Sequence, residues 1–357
     1  MILLLCHFMI AVTCLNSNIP LHWKNMNNPQ IKMATIIPVA GGKGGVGKSL
    51  FTANLARALA AKGDRCVAVD LDLGGSNLHT FLGFDNVHPG IGDYLGQKGV
   101  SLSEFTVPIP GSSLSFVPGD GLRPFLANLM HGHKMRLLRD LTRIDTDYIL
   151  LDLGAGTSYN TIDFFRVWGR GLVVTTPQYP AIINMMNFVK NVVLRIIMKG
   201  IGNNTFMTAV IEPISKQSID ADIKTIPEII DELGLINRER TERIRQQLAS
   251  LKFGLVVNQV KQVEDLQFVN SVVEALKRKL GVDVDWYGSL FDEDSARIGW
   301  HAPNGVANAP KLTGLARIAD RVRQPVSVGH ERLIAEAEAL QKHLLSQQNQ
   351  PLSVSEE

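Results

Sequence analysis

Residues 42–49 read GKGGVGKS. The run satisfies G-x-x-x-x-G-K-[ST]. It follows an apolar stretch and opens an amphipathic one, the strand–loop–helix setting that a phosphate-binding loop requires. A polyphosphate carries several negative charges. Bare backbone amides can surround it only where glycine lets the chain curl closely, and the helix N-terminus behind the loop adds positive dipole character. Gly42, Lys43, Gly44, Gly45, Val46, Gly47, Lys48, Ser49 and Leu50 are therefore the expected cradle. Within it Lys48 is expected to reach the β- and γ-phosphates, and Ser49 to offer its hydroxyl to Mg2+.

The same glycines support a rival. Gly42, Gly44 and Gly47 also spell G-x-G-x-x-G, and Asp70 closes the next apolar run, near the place where a dinucleotide fold keeps its ribose acid. The Lys48–Ser49 pair decides against a nicotinamide-binding oxidoreductase, because dinucleotide folds do not require it. A second acid points the same way. Asp152 ends the apolar run YILLDL, where a Mg2+–water site needs a carboxylate, and a lone acid closing a buried strand requires water, metal or a hydroxyl as partner. Asp70 and Asp72 together end the earlier run, where ligands bind in open α/β sheets.

The elements that must hold these residues alternate. Strands are expected at 34–40, 65–71, 147–153, 171–176, 253–258 and 284–288, with a helix at 49–61 stopped by Gly63. This is an α/β pattern, a mostly parallel, doubly wound sheet flanked by helices. Residues 72–118, rich in glycine, read as a surface lobe. Residues 181–251 are long and helical for one crossover and read as an inserted helical subdomain. A last helix is expected at 329–345, followed by a polar, disordered tail.

Bulk properties narrow the class. With 45% hydrophobic and 20% charged residues the 357-residue chain is an ordinary globular composition, and a net charge of +2 gives no reason to expect nucleic acid. Cys6, Cys14 and Cys66 form no C-x-x-C pair, which fits a reducing, cytoplasmic setting and no metal cluster. Residues 1–15 are apolar but lack a basic start and are short for a membrane span of ~20 residues. They read as an over-long translation start, with Met26 or Met33 as the native one and 1–33 as a non-native or disordered extension; a membrane anchor is the alternative. His131 and His133 lie in a basic helical stretch without further ligands, Cys66 in an apolar strand, and the apolar helix 181–200 has packing as its default role. The last helix carries Leu333, Ala337, Leu340 and Leu344 on one stripe and mixed charges elsewhere. A membrane-docking helix would be basic there, so packing on the body or a partner is expected instead.

The run KGGVGKS resembles the deviant P-loop of the MinD/ParA family, marked by a second lysine, here Lys43, ahead of the glycines. The resemblance implies that Lys43 crosses to a partner's nucleotide, so that two ATP molecules lie between two subunits. Asp70 to Leu78 (DLDLGGSNL) resembles the first switch, with Asp72 orienting the attacking water, Asp70 supporting the Mg2+ shell and Asn77 near the dimer face. Asp152 to Gly156 (DLGAG) resembles the second, with Asp152 on the Mg2+ water shell and the Gly156 amide sensing the γ-phosphate. By this likeness Lys43, Lys48 and Asp72 serve catalysis, and Ser49, Asp72 and Asp152 the metal. Asn258 matches the position that reads the adenine edge, for which a turn-forming asparagine is the plain alternative. Gly288 to Asp292 lacks the family's proline, and Pro177-Gln178-Tyr179-Pro180 departs from the usual P-E-P-T.

The likeness spans about residues 34–325, the expected P-loop ATPase domain, with 326–357 as helix and tail. It is nearest to MinD and the flagellar-number regulators. It implies a slow, partner-stimulated ATPase that forms a homodimer with ATP and Mg2+ and serves spatial or numerical control through an unidentified activator or effector. Three other classes share this kind of loop. An iron–sulfur carrier needs paired cysteines, and a tyrosine autokinase needs a tyrosine-rich tail; neither is present in the sequence. An ATP-dependent amide-forming or carboxylating synthetase stays open, and would release phosphate only with its acid substrate.

Overall fold

The computed structural model describes residues 34–85, 87–119, 129–216, 219, 224–291, 313–324 and 329–348. Cys6, Cys14, the translation-start reading, Asp292 and the end of the tail lie outside them.

In chain order the first half comprises β1 (Thr35–Ala40), α1 (Lys48–Ala61), β2 (Cys66–Leu71), α2 (Leu78–Leu82), α3 (Ile91–Gly96), β3 (Val107–Pro108), β4 (Leu114–Val117), α4 (His131–Leu141), β5 (Tyr148–Leu153), α5 (Tyr159–Arg166) and β6 (Arg170–Thr175). The second half comprises α6 (Tyr179–Ile201), α7 (Thr205–Ser215), α8 (Ile226–Ile236), α9 (Arg238–Ala249), β7 (Lys252–Val260), α10 (Phe268–Leu280), β8 (Val284–Phe291), α11 (Thr313–Arg323) and α12 (His330–Gln348).

The eight strands form one sheet in the order β3-β4-β2-β5-β1-β6-β7-β8, parallel except for the β3–β4 pair. Its central strands are apolar along most of their length because both faces are covered, with Asp70 and Asp152 near their carboxyl ends. Successive residues feed opposite cores. Ile37 and Val39 meet Phe51, Leu55 and Leu59 of α1 and Ile318 of α11, while Ile36 and Ala40 belong to the core shared with α4, α5, α6 and α10. The chain leaves β1 toward β2 on one side, and later crosses from β5 to β6 on the other. The carboxyl ends of β1, β5 and β6 therefore frame a topological switch point, where such sheets bind ligands.

Two expectations change. The lobe at 72–118 is in part sheet, since Leu114–Val117 pairs in parallel with β2 from Cys66↔Leu114 to Val69↔Val117. Four residues flanked by glycine, proline and serine carry too little periodicity to announce a strand. The strands expected to stop at 258 and 288 run on to Val260 and Phe291. Four helices, α6 to α9, connect β6 to β7. Helix α6 is long and apolar enough to cross a membrane by length and composition, yet 67% of that window is buried inside the body. Helix α12 turns Leu333, Ala337 and Leu340 inward, and its Glu336 pairs with Arg321 of α11. These three residues of the stripe read from sequence are thus packed on the body.

Candidate functional site

β1 delivers the chain to the switch point at Ala40, and the loop then folds back on itself. A methyl group on Gly41 would stand 2.9 Å from Val46 Cγ2, 3.0 Å from Lys48 Cδ and 3.0 Å from the Val174 carbonyl, so only glycine fits there. Gly42 has its own constraint. A Cβ would lie 2.0 Å from the Asn184 carbonyl oxygen, which seats the second turn of α6 on the loop. Gly47 takes φ 83°, a left-handed conformation natural to glycine, and hands the chain to α1, whose first turn receives no side-chain cap. Those first amides are what a phosphate would use. Gly44 and Gly45 face open space, and Lys43 beside them is exposed, whereas Lys48 is buried.

The loop is braced from β7. Asn258, buried at the strand's carboxyl end, donates Nδ2 to the Val46 carbonyl at 2.9 Å. Gln259, next to it, donates Nε2 to the Gly45 carbonyl at 3.4 Å and sits at φ 57°, the single described non-glycine residue with positive φ. Backbone strain of this kind, ~1–3 kcal/mol, persists where surrounding contacts over-determine it. The Asn258 amino group expected at the adenine edge is thus occupied by the loop itself. Asn184 and Gln259 went unread in the sequence. The φ of Gln259 leaves no trace in residue type, and the Asn184 contact arises only once α6 is packed.

Two carboxylates meet below the loop. Asp70 and Asp152 are register partners on adjacent strands, and both are buried. Asp70 accepts from Ser76 Oγ at 2.6 Å, from the Leu78 amide at 3.0 Å and from the Asp72 amide at 3.0 Å. Burial pushes its pKa up and these three donors pull it back. Its oxygens shape the 70–78 segment, and a part in supporting the Mg2+ shell would be indirect, through that segment and through Asp152 beside it. Asp152 differs. Its Oδ1 accepts from Thr52 Oγ1 at 3.4 Å, and Ser49 donates to the same carboxylate. Its Oδ2 is buried without a partner. Burial, then the charge of Asp70, raises the Asp152 pKa, while Ser49 and Lys48 oppose the rise. An orphaned carboxylate oxygen beside a serine hydroxyl is an arrangement that a hard, hydrated dication completes, so the residues present fit Mg2+.

Asp72 lies across from Asp152's own loop. A Cβ on Gly154 would be 2.8 Å from Asp72 Oδ1, so the two acidic strand ends touch. The Gly156 amide donates to the Gly41 carbonyl at 3.3 Å, and must leave it before it can meet a phosphate. Asn77 is exposed at the start of α2, and Leu50 lies half-buried in the first turn of α1, where its carbonyl accepts from Asn54 Nδ2 at 2.7 Å. Gly288 to Phe291 continue β8, with Phe291 in register with Val260 of β7. The histidines of α4 join no metal-binding group among the described residues.

Comparison with known proteins agrees with this geometry. The ParA family model described as "NUBPL iron-transfer P-loop NTPase" matches residues 32–220. The septum site-determining protein MinD of Helicobacter pylori is 36% identical over 148 residues, 41% of this chain and 54% of that protein. The iron-sulfur cluster carrier protein of Escherichia coli K12 is 33% identical over 175 residues, 48% of this chain and 46% of that protein. The chain thus spans about half the length of the curated relatives it matches. Among solved structures, the MinC:MinD cell division complex of Aquifex aeolicus shares the fold at TM-score 0.50 and 19% identity, covering 83% of this chain and 98% of that one. The family match spans more than half of the sequence and centres on the loop and acidic strand ends just described: the chain belongs to the MinD/ParA family of P-loop NTPases.

Proposed function

We propose that this protein is a cytoplasmic ATPase whose ATP-bound state is a homodimer, and whose hydrolysis dissolves that dimer to signal position or number to a partner. The observation that carries the reading is the contrast between two lysines of one loop. Lys48 is buried against Gly41 of its own loop, while Lys43 stands exposed beside Gly44 and Gly45, which face open space. A cation so placed can serve a phosphate presented by a second subunit, and it is held there only while that phosphate exists.

The chain's own groups supply the rest by positioning and electrostatics. The amides of 44–50 and Lys48 hold the triphosphate. Ser49 and Asp152 would hold Mg2+, which when bound offsets charge on the β- and γ-phosphates. Asp72, poised against Gly154, orients the water whose attack releases inorganic phosphate and leaves ADP.

A cluster-carrier role finds less support. Cys66 is buried in β2, and burial first, then Asp64 and Asp147, pushes its thiol up to about 12, far from a reactive thiolate. No group able to hold a metal cluster occurs among the described residues.

The deciding experiment is sizing by light scattering with ADP and with ATP, for wild type and Asp72→Ala. The variant should form a stable dimer with ATP, because binding is kept and turnover blocked. A monomer in both nucleotides defeats the switch while leaving the nucleotide site intact.

A further inference from the structure

Asp163, buried on α5, gathers four cations from three helices. Its Oδ1 accepts from Arg166 Nε at 3.0 Å and Arg195 Nε at 3.1 Å, with Lys199 Nζ at 3.5 Å. Its Oδ2 accepts from Lys134 Nζ at 2.9 Å and Arg195 Nη2 at 3.1 Å. Among the described residues no other carboxylate pairs with any of the four. Four positive charges against one negative leave a local surplus of three, while the whole chain's formal net charge is only +2.

The surplus is not spread over solvent. The side chains of Lys134, Arg166, Arg195 and Lys199 are 11, 15, 23 and 43% exposed. Like charges crowded into a partly desolvated corner repel one another more strongly than on an open surface, and one carboxylate cannot neutralise them. Donors also remain. Arg166 uses only Nε toward Asp163, and Arg195 leaves Nη1 outside the pair. The Arg195 guanidinium is steadied by the ring of Tyr159, 4.7 Å below it. Two guanidinium forks plus two ammonium groups suit a multiply charged oxyanion, which both neutralises the surplus and accepts several donors at once.

We propose that the corner between α4, α5 and α6 is a second anion site, which takes a phosphate group on Arg166, Arg195, Lys199 and Lys134 around Asp163. The site is separate from the nucleotide loop but not isolated from it. Helix α5 follows directly after the 152–156 segment, and α6 rests its Asn184 carbonyl on Gly42. An anion bridging α5 and α6 therefore braces both helices that border the loop. The phosphate could belong to a free ion or to a lipid headgroup.

Calorimetry separates these. The nucleotide loop is first saturated with a non-hydrolysable ATP analogue and Mg2+, a titration that independently reports whether that site exists. Inorganic phosphate is then titrated, and in parallel vesicles of phosphatidylglycerol against vesicles of phosphatidylcholine. Uptake of free phosphate at one site per chain supports a soluble ligand, and uptake of phosphatidylglycerol vesicles alone supports a headgroup. In either case Lys199→Gln and Arg195→Gln, each shown to be folded by its melting temperature, should weaken binding by about tenfold, the scale of one charge-assisted contact. Binding of neither probe, or binding that both variants leave unchanged, overturns the proposal.

Discussion

The carboxylate of Asp72 rests against the α-carbon of Gly154, so closely that a methyl group there would come within 2.8 Å of Oδ1. Two loops from different strands are thereby gauged against each other, and Asp72, the acid proposed to orient water, has no room to its rear. Gly154→Ala should push Asp72 off its position while leaving the phosphate cradle untouched. Turnover should fall by up to roughly a hundredfold, the scale of an ångström-sized misplacement, with nucleotide affinity kept. Steady-state kinetics beside calorimetry read the split. Gly75→Ala, where the new methyl would meet Asp72 at 3.4 Å, is the milder companion. Equal kcat values for Gly154→Ala and wild type would remove Asp72 from the reaction.

Asp152 makes the nucleotide-free protein sensitive to pH in a definite direction. Its folded-state pKa is raised, chiefly by burial and then by Asp70, to about 8. A group of this kind binds more protons folded than unfolded, so its contribution to stability is largest in acid and declines as pH climbs from ~4, the ordinary carboxylate value. Mg2+ competes with the proton for the same oxygens, so its affinity should rise over the same interval. Melting temperatures in EDTA should drop between pH 5 and pH 8 and recover with MgCl2 and nucleotide. Asp152→Asn should flatten the decline and erase the Mg2+ dependence. A wild-type profile that is level across this range contradicts the buried-acid account.

The Asn258–Val46 hydrogen bond tells a brace from a base reader. If Asn258 holds the loop, Asn258→Ala frees the Val46 carbonyl and loosens the amides that bind phosphate. Affinity for ATP and for GTP should then fall together, by roughly tenfold for a lost buried hydrogen bond worth ~1–1.5 kcal/mol. A base-reading asparagine would lose ATP selectively. Competition binding with both nucleotides distinguishes the two outcomes, and selective loss of ATP would restore the base-reading role.

The sequence displayed this site unevenly, for physical reasons. Phosphate binding demands fixed residue types at fixed spacing within one turn of chain, so Gly42 to Ser49 could be read directly, and the acids Asp72 and Asp152 stood at the ends of apolar runs that only a buried parallel strand explains. What stayed hidden joins distant positions. The brace from Asn258 to Val46 spans 212 residues, and nothing near either one announces it. The donors of Asp70 are equally unannounced, since Ser76 and Leu78 reach it only when the chain after β2 curls back. The strand β4 was lost because turn-forming neighbours outnumbered its four residues. Gln259 shows the same limit, since a side chain in left-handed conformation has no compositional mark.

Lys43 offers the sharpest test of the dimer. It is exposed, so Lys43→Ala should leave folding within ~0.5 kcal/mol of wild type. The amides and Lys48 remain, so ATP should still bind. Turnover should fall by ~10³-fold or more, the scale of a cation supplied across an interface to a transferring phosphoryl group. Loss of activity alone would not separate a lysine acting within its own subunit from one acting on its partner's nucleotide. Combining it with Asp72→Ala does. The single Asp72→Ala variant should accumulate as an ATP dimer, and the double variant should stay monomeric in light scattering, because the attraction between Lys43 and the partner's phosphate is gone. Mixing the two single variants adds a second reading. Each heterodimer pairs a subunit lacking Lys43 with one lacking Asp72, so for a lysine acting across the interface one composite site keeps its own Asp72 and receives an intact Lys43 from the partner, while the other lacks both. If Lys43 acts across the interface, that one site is complete and mixing restores part of the activity. If it acts within its own subunit, the variants are inactive separately for different reasons and remain so together. Size and activity thus answer the same question, and a double variant that dimerises as tightly as Asp72→Ala alone, with a mixture that stays inactive, confines Lys43 to its own loop.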